Sequence, residues 1–138
     1  MTEEEYKNKL IEALDREKNS ILSNINSFLQ KIPAEAVRIN IIISPSKDGE
    51  GDFCIHGGLN GPNLYSLNKK IEDWTNILEI KHSTKGLEPN FPMVDPFSTD
   101  YYVNDIIEKV CIKWIDDHWD EIDDSKVNVA ISMYSNHI

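Results

Sequence analysis

Between Thr2 and Lys31 the apolar residues are Tyr6, Leu10, Ile11, Leu14, Ile21, Leu22, Ile25, Phe28 and Leu29, with Ile32 just beyond. At about 100° per residue they fall on one side of a helical wheel, which predicts a long amphipathic helix. Thr2 with Glu5 three residues later has the form of a capping box, and Pro33 marks the stop. The period then changes to two. Val37, Ile39, Ile41 and Ile43 alternate with polar residues, predicting a strand, and Ile42 on its second face implies partial cover there. A polar turn from Ser44 to Gly51 leads to a second strand, with Phe53, Ile55 and Leu59 facing one way and Cys54 and His56 the other, so the two read as a hairpin. Asn60-Gly61-Pro62-Asn63 opens a second helix, in which Leu64, Leu67, Ile71, Trp74 and Leu78 step by three and four. A short strand is expected around Ile77 to His82. Thr84 to Phe97, with Gly86 and three prolines, reads as an irregular surface excursion. A third helix is expected from Asp100 to Ile122, capped by Ser98 or Thr99. Val127, Val129, Ile131 and Met133 alternate to the end, which predicts a last strand. The order α-β-β-α-β-α-β predicts a single α+β domain over residues 1–138. Its architecture would be a two-layer sandwich, with a mostly antiparallel sheet of about four strands and three helices.

The 138-residue chain carries 24 acidic and 14 basic residues, a net charge of −10. That balance argues against nucleic acid and against a bare anionic membrane as partners, since both would be repelled. Unbroken apolar runs are no longer than that of Ile41-Ile42-Ile43, so no transmembrane helix is expected. The acidic start, Met1-Thr2-Glu3-Glu4-Glu5, lacks the apolar core of a secretion signal. Cys54 and Cys111 are too few for a disulfide framework and read as reduced thiols of a cytoplasmic protein, with their pairing left open because sequence gives no distance between them.

Candidate chemistry is sparse. Asp48-Gly49-Glu50-Gly51-Asp52 places carboxylates at alternate positions, as a hard cation would want. The calcium-loop pattern fails, however, with Phe53 where its glycine belongs and Leu59 where its glutamate belongs. The plainer reading is a hairpin turn whose glycines supply positive φ. His56, His82, His118 and His137 match no zinc spacing, so no metal and no cofactor is expected. Cys54 and His56 share a strand face, which reads as packing rather than as a nucleophile with its base. His118 reads as a half-buried histidine of the third helix. Gly57-Gly58-Leu59-Asn60-Gly61 matches no phosphate-binding loop, and no G-x-S-x-G elbow is present.

Charge is the feature that stands out. Residues 100–124 hold nine acids and two bases. On the wheel of the third helix, Ile112 and Trp119 fall at the margin of the apolar face, beside Asp105, Asp116 and Asp123, with Asp120 on the polar side. Large apolar side chains ringed by polar groups are what a protein partner's binding energy concentrates on, and an acidic rim would steer a basic one. The competing reading is a margin covered by the rest of the fold, with the carboxylates merely solvated.

The stretches Asp48-Gly-Glu-Gly, Leu59-Asn-Gly-Pro-Asn-Leu-Tyr-Ser-Leu-Asn-Lys69, Gly86-Leu-Glu-Pro and Asp95-Pro-Phe resemble a family of small acidic bacterial proteins catalogued as a domain of unknown function. The resemblance spans most of the chain. It implies a bacterial, cytoplasmic origin and transfers no catalytic residue. The expectation is therefore a non-enzymatic binding module, concretely an immunity-type protein for a basic toxin, using Asp105, Ile112, Asp116, Trp119, Asp120 and Asp123. The alternative is a small-molecule binder or small enzyme. Its site would lie where the Pro-rich loop 88–97 meets the glycine turn 57–61, near His56, Asn60, Tyr65 and Asp95. A homodimer through the Trp119 margin is the third reading.

Overall fold

A computed structural model describes residues 1–136. The first apolar stripe folds as two helices rather than one, α1 (Glu3–Arg16) and α2 (Lys18–Leu29). Glu17 between them departs from helical geometry, at φ −97° and ψ 9°. Six polar residues, Asp15 to Ser20, separate Leu14 from Ile21. No apolar anchor holds a straight course across that gap, and the bend lets each half bury its own face. The capping box at Thr2 and Glu5 forms as expected.

Strands β1 (Arg38–Pro45) and β2 (Phe53–Asn60) make the antiparallel hairpin, with Ile43 opposite Ile55. Gly49 and Gly51 in its loop take φ of +71° and +106°, which L side chains rarely adopt. The second helix is shorter than its spacing predicts. After α3 (Leu64–Lys69) and a 3₁₀ turn at Glu72–Trp74, the chain becomes β3 (Asn76–Glu79), so Leu78 belongs to a strand. Pairing on β2 overrides the helical period. Leu78 lies opposite Ile55, Gly57 N–H donates to Thr75 C=O, and Asn24 Nδ2 donates to Ile77 C=O.

A small hairpin follows, β4 (Lys81–Ser83) with β5 (Gly86–Glu88), where only irregular chain is expected after Thr84. The remaining excursion is tied down: Phe91 packs edge-on against Phe53, and Arg16 Nη2 donates to Asn90 C=O. Helix α4 (Val103–Asp117) starts later than expected, at Tyr102, because Ser98 and Thr99 bond back to Asp95 and Pro96 instead of capping it. It also ends earlier, at His118, before a 3₁₀ turn at Trp119–Glu121. There are thus four α-helices among the described residues, not three.

Strand β6 (Ala130–Ser135) closes the sheet in the order β3-β2-β1-β6, and it runs parallel to β1. The expected α+β sandwich with a four-stranded sheet is therefore present, with one parallel pairing making the sheet mixed. Parallel neighbours need a crossover, and α4 supplies it. Helices α2 and α4 cover one sheet face, on which Ile39, Ile41, Ile43 and Ile55 are fully buried. The opposite face carries the half-buried Ile42, Ser44, Cys54 and His56. No helix among the described residues is long and apolar enough to cross a membrane.

Candidate functional site

The chemistry-bearing surface lies where α4 meets the sheet edge. Helix α4 buries Ile106, Ile107, Cys111, Trp114 and Ile115, and this turns Ile112 to its margin. Trp119 follows just after the helix, and the last strand brings up the far wall. Two adjoining grooves result. One, of about 340 Å³, is lined by Asp116, Trp119, Asp124, Val127, Val129, Ile131 and Met133. The other, of about 500 Å³, is lined by Glu108, Lys109, Ile112, Lys113, Asp116 and Met133. They share Asp116 and Met133. The apolar walls at Ile112, Trp119, Val129, Ile131 and Met133 are all half-buried, so the margin is neither covered nor fully open. Trp119 is held in place by its indole N–H, which donates to Asp124 Oδ2 at 2.9 Å.

The six residues expected to bind a partner divide. Ile112, Asp116 and Trp119 line the grooves. Asp120 and Asp123 lie beside them, exposed, on the exit from the helix. The Asp123 carboxylate accepts from Ser125 N–H at 3.1 Å and from its hydroxyl at 2.6 Å, and these bonds hold its carboxyl below the usual range. Asp105 lies elsewhere, in a groove of about 600 Å³ between α1 and the first half of α4. Charges of both signs line that larger groove, Glu3, Glu4, Asp100 and Asp105 against Lys7, Lys109 and Lys113, so it selects for no particular charge, and two of these lysines, Lys109 and Lys113, flank the Ile112 groove. The smaller groove at Trp119 has acids and no base among its lining residues. Its far wall, Asp124 to Met133, is absent from the sequence-based site. Alternation marks the last segment as a strand, but no pattern states that it lies beside β1.

The alternative set is spread over the fold. Asn60 ends β2, where its Oδ1 accepts from Asn40 Nδ2. Tyr65 stands 80% exposed on α3. Asp95 caps a turn by accepting from Phe97 N–H and the Ser98 hydroxyl. Its neighbour Val94 bonds Glu50 C=O in the loop before β2, so Asp95 and Asn60 sit toward opposite ends of that eight-residue strand. At 3.3 Å per residue those ends are about 25 Å apart. His56 faces the opposite sheet surface, with Nδ1 3.7 Å from Cys54 Sγ. Burial raises the Cys54 thiol, with Glu79 adding to it, and burial lowers His56. Both shifts favour the neutral pair over the thiolate–imidazolium pair that an activated cysteine needs. Cys54 and Cys111 are both free, with Cys111 buried on α4 beneath the other sheet face.

His118 is the C-cap of α4, stacked on Trp114 at 4.1 Å between ring centres, with Nδ1 2.7 Å from Trp114 C=O. These contacts commit it to local structure. His137 lies outside the described residues.

The α+β fold with this acidic-rimmed apolar groove is that of a chain that belongs to a family of unknown function. The family is DUF6389, whose model matches residues 1–137. No curated protein and no solved structure matches the chain.

Proposed function

We propose that this protein is a non-enzymatic binding module that takes a basic protein partner in the α4–β6 groove. The concrete form of the proposal is an immunity-type protein of the bacterial cytoplasm that neutralises a basic toxin. The observation that carries it is the half-exposed apolar floor of Ile112, Trp119, Ile131 and Met133, set beside Asp116 and Asp124. Aromatic anchors surrounded by weaker polar contacts supply most binding energy at protein interfaces. The nine acids against two bases in residues 100–124 complement a positive surface and speed its approach. Strand β6 is an outer strand of the sheet among the described residues. A second copy is a poorer occupant, because a two-fold contact would set the same acidic rim against itself.

The test is capture from a bacterial lysate on the immobilised protein, read by mass spectrometry, alongside Trp119→Ala and the double variant Asp116→Lys, Asp124→Lys. A basic protein should be retained by the native chain and released as salt rises. Its affinity should drop roughly tenfold or more with Trp119→Ala, while circular dichroism shows that variant folded. Equal retention by all three proteins, or an affinity indifferent to salt, would refute the proposal.

A further inference from the structure

The hairpin loop between β1 and β2 gains a partner that its own sequence does not contain. Across from Asp48, Glu50 and Asp52 stands His82 of β4. Its Nε2 lies 3.4 Å from Asp48 Oδ2, 3.1 Å from Glu50 Oε2 and 3.4 Å from Asp52 Oδ1. One atom each from Asp48, Asp52 and His82 fall within 4.8 Å of one another. We propose that Asp48, Asp52 and His82, with Glu50 alongside, bind a divalent first-row transition-metal ion, of the zinc or manganese kind.

Three observations point to a cation. The donor set is mixed, an imidazole nitrogen with carboxylate oxygens from two separate segments, which is more specific than a patch of acids. Imidazole suits zinc and its neighbours, carboxylate suits manganese, and calcium takes oxygen ligands alone. Next, the Asp52 side chain is only 13% exposed, and its Oδ1, sealed from solvent, makes no close hydrogen bond and faces the His82 ring nitrogen at 3.4 Å. The one donor near it is His82 Nε2, which Asp48 and Glu50 share, so a single imidazole proton serves three carboxylates where a divalent cation would serve them together. Last, the spacing suits a metal. Bonds of about 2.0–2.2 Å place adjacent ligands roughly 3.0–3.5 Å apart, which brackets the three distances to Nε2.

The site is also held in shape from outside. Ser46 N–H donates to Asp52 C=O, Val94 N–H to Glu50 C=O, and Asn104 Nδ2 to Ser46 C=O. At Gly51 a Cβ would come within 2.6 Å of Pro92 C=O, so the loop lies directly on the Pro-rich segment. His82 pairs with Leu87 in the small hairpin, and Ile80 N–H donates to Phe53 C=O, which fixes β4 against the loop's end.

The test is isothermal titration of the chelator-treated full chain with zinc chloride and manganese chloride at pH 7, with calcium and magnesium chloride in parallel. One ion per chain should bind, with zinc tightest, following the usual order of affinities. His82→Gln and Asp52→Asn should each weaken zinc by at least the 10–100-fold that losing an outer-shell partner costs. His118→Gln should leave the affinity unchanged, and circular dichroism should show all three variants folded. Manganese should broaden the His82 ring signals in proton NMR more than those of His56. The inference fails if no ion binds, if calcium binds more tightly than zinc, or if the His82 and Asp52 variants bind zinc as the native chain does. Its fate is independent of the α4–β6 groove, which contains none of these residues.

Discussion

Thr2 and Glu5 show how much one residue pair can decide at the start of a chain. Thr2 Oγ1 accepts from Glu5 N–H at 3.1 Å, and Glu5 Oε1 accepts from Thr2 N–H at 3.3 Å. The Thr2 backbone bond first, then its side-chain bond, lowers the Glu5 carboxyl below its ordinary value. A depressed carboxylate stabilises the folded state above its unfolded pKa, and that contribution is lost as pH falls through the folded pKa. The first turn of α1 should therefore fray in acid before the rest of the helix. Amide exchange at Glu5 and Tyr6, with the Glu5 carboxyl followed by NMR, would show it. Thr2→Val should return the Glu5 titration toward its ordinary value. A Glu5 that titrates normally in the native chain would mean that the box does not persist in solution. This pair was legible in the sequence because both partners lie within one turn. His82 was not: thirty residues separate it from Asp52, and no local spacing announces a contact that a separate hairpin creates.

Elements are joined here by close approaches as much as by broad faces. Gly57 of β2 lies over the Phe28 ring of α2, and a Cβ at that position would come within 2.5 Å of it. Gly58, its neighbour on the other sheet face, has room, with Ile42 Cδ1 at 3.5 Å. Gly57→Ala should cost about 1–3 kcal/mol, as overpacking in a well-filled core does, while Gly58→Ala should be nearly neutral. Urea unfolding of the two variants would settle the comparison, and Phe28→Leu in the Gly57→Ala background should recover part of the loss. Equal stability of the two single variants would mean that α2 is free to move away from the sheet. Element identities were readable wherever the period was clean, as in β1, β2 and α4. They failed where tertiary pairing outweighed local pattern. Leu64 to Leu78 carries helical spacing throughout, yet hydrogen bonding to β2 takes its last residues into a strand. The bend at Glu17 was readable in hindsight, in the absence of any apolar residue between Leu14 and Ile21.

Across the whole molecule the net charge of −10 is poorly neutralised. The lysine pairs Lys7–Glu3, Lys18–Glu121 and Lys113–Asp117 are solvent-exposed and contribute little each. Mutual repulsion among the acids should therefore weaken the fold at low ionic strength. Raising salt from about 0.01 M to 0.15 M shortens the screening length from about 30 Å to about 8 Å. The thermal midpoint should rise by a few degrees over that range, as a scan in sodium chloride would record. A flat response would mean that the excess acids lie too far apart to interact. The total charge and its concentration in residues 100–124 were plain from composition. The groove beside it was only half legible, because the helix margin is periodic whereas its far wall depends on which strand β6 joins.

That parallel pairing also has a consequence for biosynthesis. Arg38 pairs with Ala130 and Ile43 with Ser135, so one side of β1 waits about ninety residues for its neighbour. At about 5–20 residues per second that delay is roughly 5–20 s on the ribosome. Throughout it, the nascent chain can form the β1–β2 hairpin but keeps an open, isoleucine-rich strand edge. Newly made molecules should be most prone to aggregate in this interval, and most in need of a chaperone.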